Sequence, residues 1–209
     1  MKYVYELIGT FFLVFTIGMV VLEPGVPAGF APIAIGTILA VMIFIGGHVS
    51  GGMYNPAVSL AVAVRGKMSY ADMIIYWVAQ VAGAAGAAYL VIYMKGAPAT
   101  ALLVPEMDMT KALIAEFVFT FALTFTVLNV ATAKGTEGNS FYGWAIGMSV
   151  LVGAFAVGAI SGAAFNPAVA VGASLMGLFS WANIWIYLVA ELAAGIVAAL
   201  IFKAAHREE

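Results

Sequence analysis

Charge is scarce in this chain. Of 209 residues, 9% are charged and 65% are hydrophobic, whereas soluble domains average about 25% and about 45–50%. So few charges cannot cover the surface of a soluble protein. This excludes an ordinary cytosolic enzyme and a disordered chain. Lys plus Arg is 8 against 10 Asp plus Glu, so no basic field exists to hold phosphates and no nucleic-acid partner is expected. Cysteine is absent, which excludes disulfides and thiolate metal sites and leaves the redox compartment unread. The only histidines are His48 and His206. No metal set, Cys–His pair or phosphate-binding glycine loop stands out, so no metal, cofactor or enzymatic activity is expected.

The long uncharged runs are what the chain has instead. No Asp, Glu, Lys or Arg occurs from Leu7 to Leu22, Pro24 to Val64, Met73 to Met94, Phe117 to Ala133, or Gly138 to Ala190. A spanning helix needs about 20 predominantly apolar residues, so the second and fifth runs each hold more than one membrane-embedded element. Met1-Lys2 leads into an apolar run that contains Glu6 and reads as a first helix rather than a cleaved signal. The class is an all-α integral membrane protein.

Turn residues divide the runs. Pro24, Gly25, Pro27 and Gly29 end helix 1 near Leu22, and helix 2 runs from about Pro32 to Gly46. A glycine-rich, irregular segment follows to Tyr54, before a short apolar piece that starts at Asn55 and ends at Arg65-Gly66-Lys67. Helix 3 covers roughly Tyr70–Met94, and Gly96, Pro98 and Pro105 mark a loop. Helix 4 covers about Met109–Lys134 and helix 5 about Phe141–Gly158. A second irregular segment, to Phe165, leads to a short piece starting at Asn166 and ending near Gly177. Helix 6 covers about Trp181–Phe202, with a polar tail through Glu209.

The halves repeat. A shift of 111 places Gly47 on Gly158, Ser50 on Ser161, Asn55-Pro56-Ala57-Val58 on Asn166-Pro167-Ala168-Val169, and Tyr76 on Tyr187. A shift of 110 places Glu6 on Glu116 and Thr10-Phe11 on Thr120-Phe121. The single domain, 1–209, thus contains repeats at about 1–96 and 109–206. Each repeat carries three spans and one short segment. Three is odd, so the second copy enters from the opposite side, the inverted-repeat plan of many transport proteins. With both termini inside, Lys2, Arg65, Lys67, Lys134, Lys203 and Arg207 face the cytoplasm and only Lys95 and Lys111 face outward, which satisfies the positive-inside rule.

A short segment after glycine-rich backbone predicts a re-entrant half-helix, tolerated at membrane depth where it lines a cavity. Asn is a favoured N-cap and Pro suits the first helical position. The repeat brings the two half-helix N-termini together near the midplane, each with roughly half a positive charge. Two Asn amides supply donors, and the extended segments, about Gly46–Tyr54 and Gly158–Phe165, supply carbonyl acceptors. Such a path suits small neutral molecules and disfavours cations. A coupled secondary transporter can share inverted repeats and broken helices, but the centre lacks an Asp or Glu carboxylate for ion coupling. A closed structural or adhesion protein is the remaining alternative.

On these residues, and on Gly47-His48-Val49-Ser50-Gly51, Glu6 and Ala115-Glu116-Phe117, the whole chain resembles the aquaporins of the major intrinsic protein family. The resemblance implies six transmembrane helices, two re-entrant half-helices, a pore in each subunit for water or small neutral solutes, a homotetramer in the cell membrane, and no cofactor. It also implies a selectivity filter at Ile35, Ala154, Ala163 and Val169. Most of the family has Arg where Val169 stands, and water-selective members have an aromatic residue and a His at the first two positions. Here the filter is apolar, uncharged and expected to be wider than usual, unless side chains elsewhere refill it. The glycerol-type Asp after that Arg is replaced by Ala170, and a pore-facing His before the first motif by Met53. Candidate solutes are water, glycerol-like polyols, ammonia, hydrogen peroxide or dissolved gas. Glu6 and Glu116 are implied to hold the turning loops. His48 either ties down its loop or gates the cytoplasmic side. Glu191, the repeat mate of Gln80, has no evident role in the sequence.

Overall fold

A computed structural model describes residues 1–27, 29–96, 103–104 and 106–208. Among them are eight α-helices and no strand. They are α1 (Lys2–Val21), α2 (Ala31–Ser50), α3 (Pro56–Arg65), α4 (Tyr70–Lys95), α5 (Met109–Ala131), α6 (Tyr142–Ser161), α7 (Pro167–Leu175) and α8 (Ile184–Ala205). Single 3-10 turns lie at Lys134–Thr136 and Trp181–Asn183. Pro98, Pro105 and Glu209, read above as loop and tail, lie outside the described residues.

Six apolar helical segments of 20–26 residues are long enough to cross a membrane. At about 1.5 Å per residue they match or exceed a hydrocarbon core of about 30 Å. The chain is therefore a multi-pass membrane protein. α3 and α7 have 10 and 9 residues, roughly 15 Å each, and reach only halfway. Large apolar side chains such as Val78, Tyr89, Phe155 and Val189 stand exposed on the spans. Lipid tolerates what water would not.

Packing follows the repeat. α1 packs on α4 as α5 packs on α8, α1 on α2 as α5 on α6, and α3 on α8 as α7 on α4. α2 and α6 pack on each other, and their contact is self-paired. A Cβ on Gly36 would stand 2.7 Å from the Gly147 carbonyl, and one on Gly147 would run into the Gly36 carbonyl. These two glycines are 111 apart. Elsewhere Ala84, Ala87, Ala88, Ala194, Ala198 and Ala199 are fully buried. Small side chains let the backbones close in, which is how helices gain contact where lipid offers no hydrophobic drive.

Three expected helix ends move. α2 does not stop at Gly46 but runs to Ser50, and α6 runs past Gly158 to Ser161. The irregular segments, expected over 46–54 and 158–165, shrink to 51–54 and 162–165. Glycine weakens a helix interior by roughly 0.5–1 kcal/mol, but Gly46 is needed because a Cβ there would strike the Tyr54 hydroxyl. The helices end instead at Gly51 and Gly162, left-handed at φ 91° and 89°. α5 closes at Ala131 rather than Lys134, because the Thr136 hydroxyl and the Asn139 amide take the carbonyls of Asn129 and Val130.

Candidate pore and its loop scaffold

The half-helices start at Asn55 and Asn166, both extended and both capping their own helix. Asn55 Oδ1 accepts from the N–H groups of Ala57 (2.8 Å) and Val58 (3.5 Å). Asn166 Oδ1 accepts from Ala168 (3.0 Å) and Val169 (3.4 Å). Capping fixes each amide so that Nδ2 points away from its helix. Asn55 Nδ2 donates to the Phe165 carbonyl at 2.8 Å, and Asn166 Nδ2 donates to the Tyr54 carbonyl at 2.9 Å. These reciprocal bonds lock the two helix ends together. An amide nitrogen has two donor hydrogens, so each Asn keeps one for the cavity that both residues line.

The loops before them follow a matched, otherwise unfavourable path. Gly52 and Ala163 sit at φ 63° and 55°, and Tyr54 and Phe165 at 49° and 50°. Left-handed backbone at a non-glycine residue costs on the order of 1–3 kcal/mol and persists only where its surroundings over-determine it. Two buried glutamates supply that determination. Glu6 accepts from the Ser50 hydroxyl (2.7 Å), Met53 N–H (3.0 Å), Tyr54 N–H (2.7 Å) and Gln80 Nε2 (2.8 Å). Glu116 accepts from the Ser161 hydroxyl (2.6 Å), Ala164 N–H (3.1 Å) and Phe165 N–H (2.8 Å). The Tyr76 and Tyr187 hydroxyls hold the Ser50 and Ser161 carbonyls. Neither glutamate lines either of the two cavities described below. Their contacts are with the loops.

Two cavities meet at Met53 and Val127. The inner one encloses about 70 Å³, room for a few water-sized molecules. It contains Ile35, Ala154, Ala163 and Val169 together with Asn55 and Asn166. Its apolar wall pairs across the repeat: Leu13 with Leu123, Ile17 with Val127, Ile35 with Ile146, Leu39 with Val150, and Val58 with Val169. The second cavity, about 650 Å³, holds His48, Lys2, Lys67, Lys134 and Asp72. The two share Met53 and Val127, so Met53 stands at the neck.

His48 departs from one expectation. It lies on α2, exposed, facing the larger cavity, and among the described residues it makes no hydrogen bond to the loop. The loop is already held by Glu6, Ser50 and Tyr76, which leaves His48 nothing to tie.

Sequence reasoning missed Leu103, Leu178 and Phe179, which line the inner cavity beside the four filter positions. Phe179 is buried, stacks on Tyr187 with centroids 4.6 Å apart, and sits over Gly162, where a Cβ would collide with its ring. Leu103 N–H donates to the Leu178 carbonyl at 2.9 Å. The small filter residues suggested a wide opening, but these side chains reach the same space. The repeat held a signal for two of them, since Leu178 and Phe179 correspond to Lys67 and Met68, which line the other cavity.

Six spans, two capped half-helices meeting tip to tip and a cavity through their junction define a membrane channel for small molecules. The chain belongs to the Major intrinsic protein family, whose model matches residues 1–202. It is 34% identical to a putative aquaporin (NIP4-1) of Arabidopsis thaliana over 97% of this chain and 73% of that protein. It is also 34% identical to aquaporin TIP1-1 of Zea mays over 86% of this chain and 73% of that one. Nodulin-26 of Glycine max is 32% identical over 97% and 76%. The crystal structure of the aquaglyceroporin from Plasmodium falciparum shares the fold, with a TM-score of 0.81 at 19% identity over 96% of this chain and 94% of that one. The protein is a channel for water and small solutes and not an enzyme.

Proposed function

We propose that this channel selects neutral solutes by size and by ease of dehydration, at an apolar passage formed by Ile35, Ala154, Ala163 and Val169 and closed down by Leu178 and Phe179. The observation that carries this reading is the lining itself. Around the two Asn amides the side chains are aliphatic or aromatic, and no charged side chain lines the inner cavity among the described residues. A solute entering this passage meets donors at Asn55 and Asn166 and loses water elsewhere. The two half-helix N-termini, each with roughly half a positive charge, oppose cations at the same point. Water, glycerol-like polyols, ammonia and hydrogen peroxide fit these terms. Ions do not.

We further propose that both termini lie in the cytoplasm and that the membrane is the cell membrane. Lys2, Lys67 and Lys134 gather around the larger cavity, and Arg65 and Lys203 lie at the same end, bonded to Thr132 and to the Val64 carbonyl. Lys95 is bound to the carbonyls of Met19, Leu22 and Pro24 at the other end. The basic end faces inward by the positive-inside rule. A homotetramer, with a pore in each subunit, is the assembly proposed on the family resemblance.

Stopped-flow light scattering on proteoliposomes tests the proposal. The expected result is water and small-polyol flux above that of empty vesicles without any ion gradient, and no ion conductance. Flux that requires a proton or sodium gradient would instead establish a coupled transporter.

A further inference from the structure

Glu191 has no part in the pore described so far. It sits on α8, fully buried, and neither carboxyl oxygen has a hydrogen-bond donor among the described residues. It lines neither cavity. Its repeat mate Gln80 bonds to Glu6, and α8 packs on α5 as α4 packs on α1, so the repeat sets Glu191 against Glu116. Among the described residues no lysine, arginine or histidine bonds to either. Two bare carboxylates so placed would repel, with neither water nor a counter-charge to relieve them.

The repeat shows what the position does. Residue 191 is 111 beyond Gln80. The Gln80 amide donates to Glu6 Oε2 at 2.8 Å and to the Ser59 hydroxyl at 3.0 Å, and its own Oε1 has no donor. In the second half Ser59 becomes Ala170, so the remaining counterpart of the Gln80 bonds is the one to the glutamate. Glu116 already accepts three donors, so its negative charge is well satisfied. Glu191 accepts none, so it is the better of the two to be neutral.

We propose that Glu191 holds a proton and donates a hydrogen bond through it to Glu116, so that a neutral acid on α8 completes the clamp on the second loop as the Gln80 amide completes the clamp on the first. The pair then carries one negative charge, spread over four donors. Glu191 is a positioning residue. Through Glu116 it sets the N–H groups of Ala164 and Phe165, and so the Phe165 carbonyl that receives Asn55. The titratable groups facing it are Glu116 on α5 and, one turn earlier on α8, Tyr187, whose hydroxyl is committed to the Ser161 carbonyl. α3 and α7, which also pack against α8, contribute only Arg65, bonded to Thr132 at the far end of α3. The inference concerns the scaffold and does not depend on which solute passes.

Infrared spectra of the full chain in lipid at neutral pH test the proton directly. The expected spectrum has a protonated-carboxyl carbonyl band that shifts in D2O and is missing from E191Q. A wild type without that band, or a band that E191Q leaves in place, overturns the proposal. The positioning role is read from two variants side by side. E191Q, which restores the donor, is expected to keep wild-type water flux within about twofold and to unfold at the wild-type temperature, whereas E191L, which removes it, falls about tenfold or more. Equal flux from E191L and the wild type, or an E191Q as damaged as E191L, overturns that role. Should E191L fail to fold or the wild type conduct nothing measurable, the band and the unfolding of E191Q still decide the matter.

Discussion

Asn55 and Asn166 each perform three tasks with one amide, and their orientation is settled by bonding rather than assumed. Oδ1 is committed to the helix end, one Nδ2 hydrogen to the opposite repeat, and the other hydrogen is left for the cavity. Replacing a capping Asn by Ala removes about 1 kcal/mol at the helix end and about as much again for the cross-repeat bond. N55A and N166A are therefore each expected to be destabilised by about 2 kcal/mol, read as lowered midpoints of thermal unfolding in detergent. Phe179 carries a different prediction. Its ring closes one side of the inner cavity, stacked on Tyr187, and makes no hydrogen bond of its own. F179A is expected to raise glycerol flux more than water flux, by several-fold, in vesicle swelling assays. An unchanged ratio would mean that the ring stands outside the path.

At the level of elements, the two loops are strained segments held by buried acids. Removing the Glu116 carboxyl would strand the Ala164 and Phe165 N–H groups in the interior, at about 1–3 kcal/mol for each unsatisfied donor. E116A is expected to lose both flux and thermal stability, while E106A, in an exposed loop outside both cavities, is expected to change neither. Much of this layer was legible in the sequence. Asn-Pro at equivalent places in an inverted repeat specifies two capped half-helices, and the family resemblance implies that the paired Glu6 and Glu116 hold the loops. Two things were not legible. Gly46, Gly47 and Gly158 read as helix breakers but stay helical, because tertiary contacts such as Tyr54 against Gly46 override local propensity. Phe179 lies ten residues beyond Val169 and reaches the filter only because the α7–α8 connection folds back over Gly162, which no local pattern encodes. The α2–α6 contact makes its own prediction: G147L cannot avoid the Gly36 carbonyl and is expected to fail to assemble into a stable, monodisperse protein by size-exclusion chromatography.

For the whole molecule, the repeat is symmetric in scaffold and asymmetric at its two mouths. Gly162, Ala173, Leu178 and Phe179 at one end answer to Gly51, Val62, Lys67 and Met68 at the other. The first set narrows an apolar passage, and the second opens a larger, charged vestibule. On the proposed function, the same fold gives a selective end and a collecting end by side-chain choice alone. Among the described residues no charged side chain lines the inner cavity, and Val169 occupies the place where the family resemblance implies an arginine. The most direct measurement is stopped-flow flux of water and glycerol through wild-type and V169R proteoliposomes. A guanidinium at that position would fill the passage and bind water there. V169R is expected to cut glycerol flux about tenfold, the factor given by about 1.4 kcal/mol of added barrier, while water flux falls far less. An unchanged glycerol-to-water ratio in V169R would contradict the assignment of the filter to Ile35, Ala154, Ala163 and Val169.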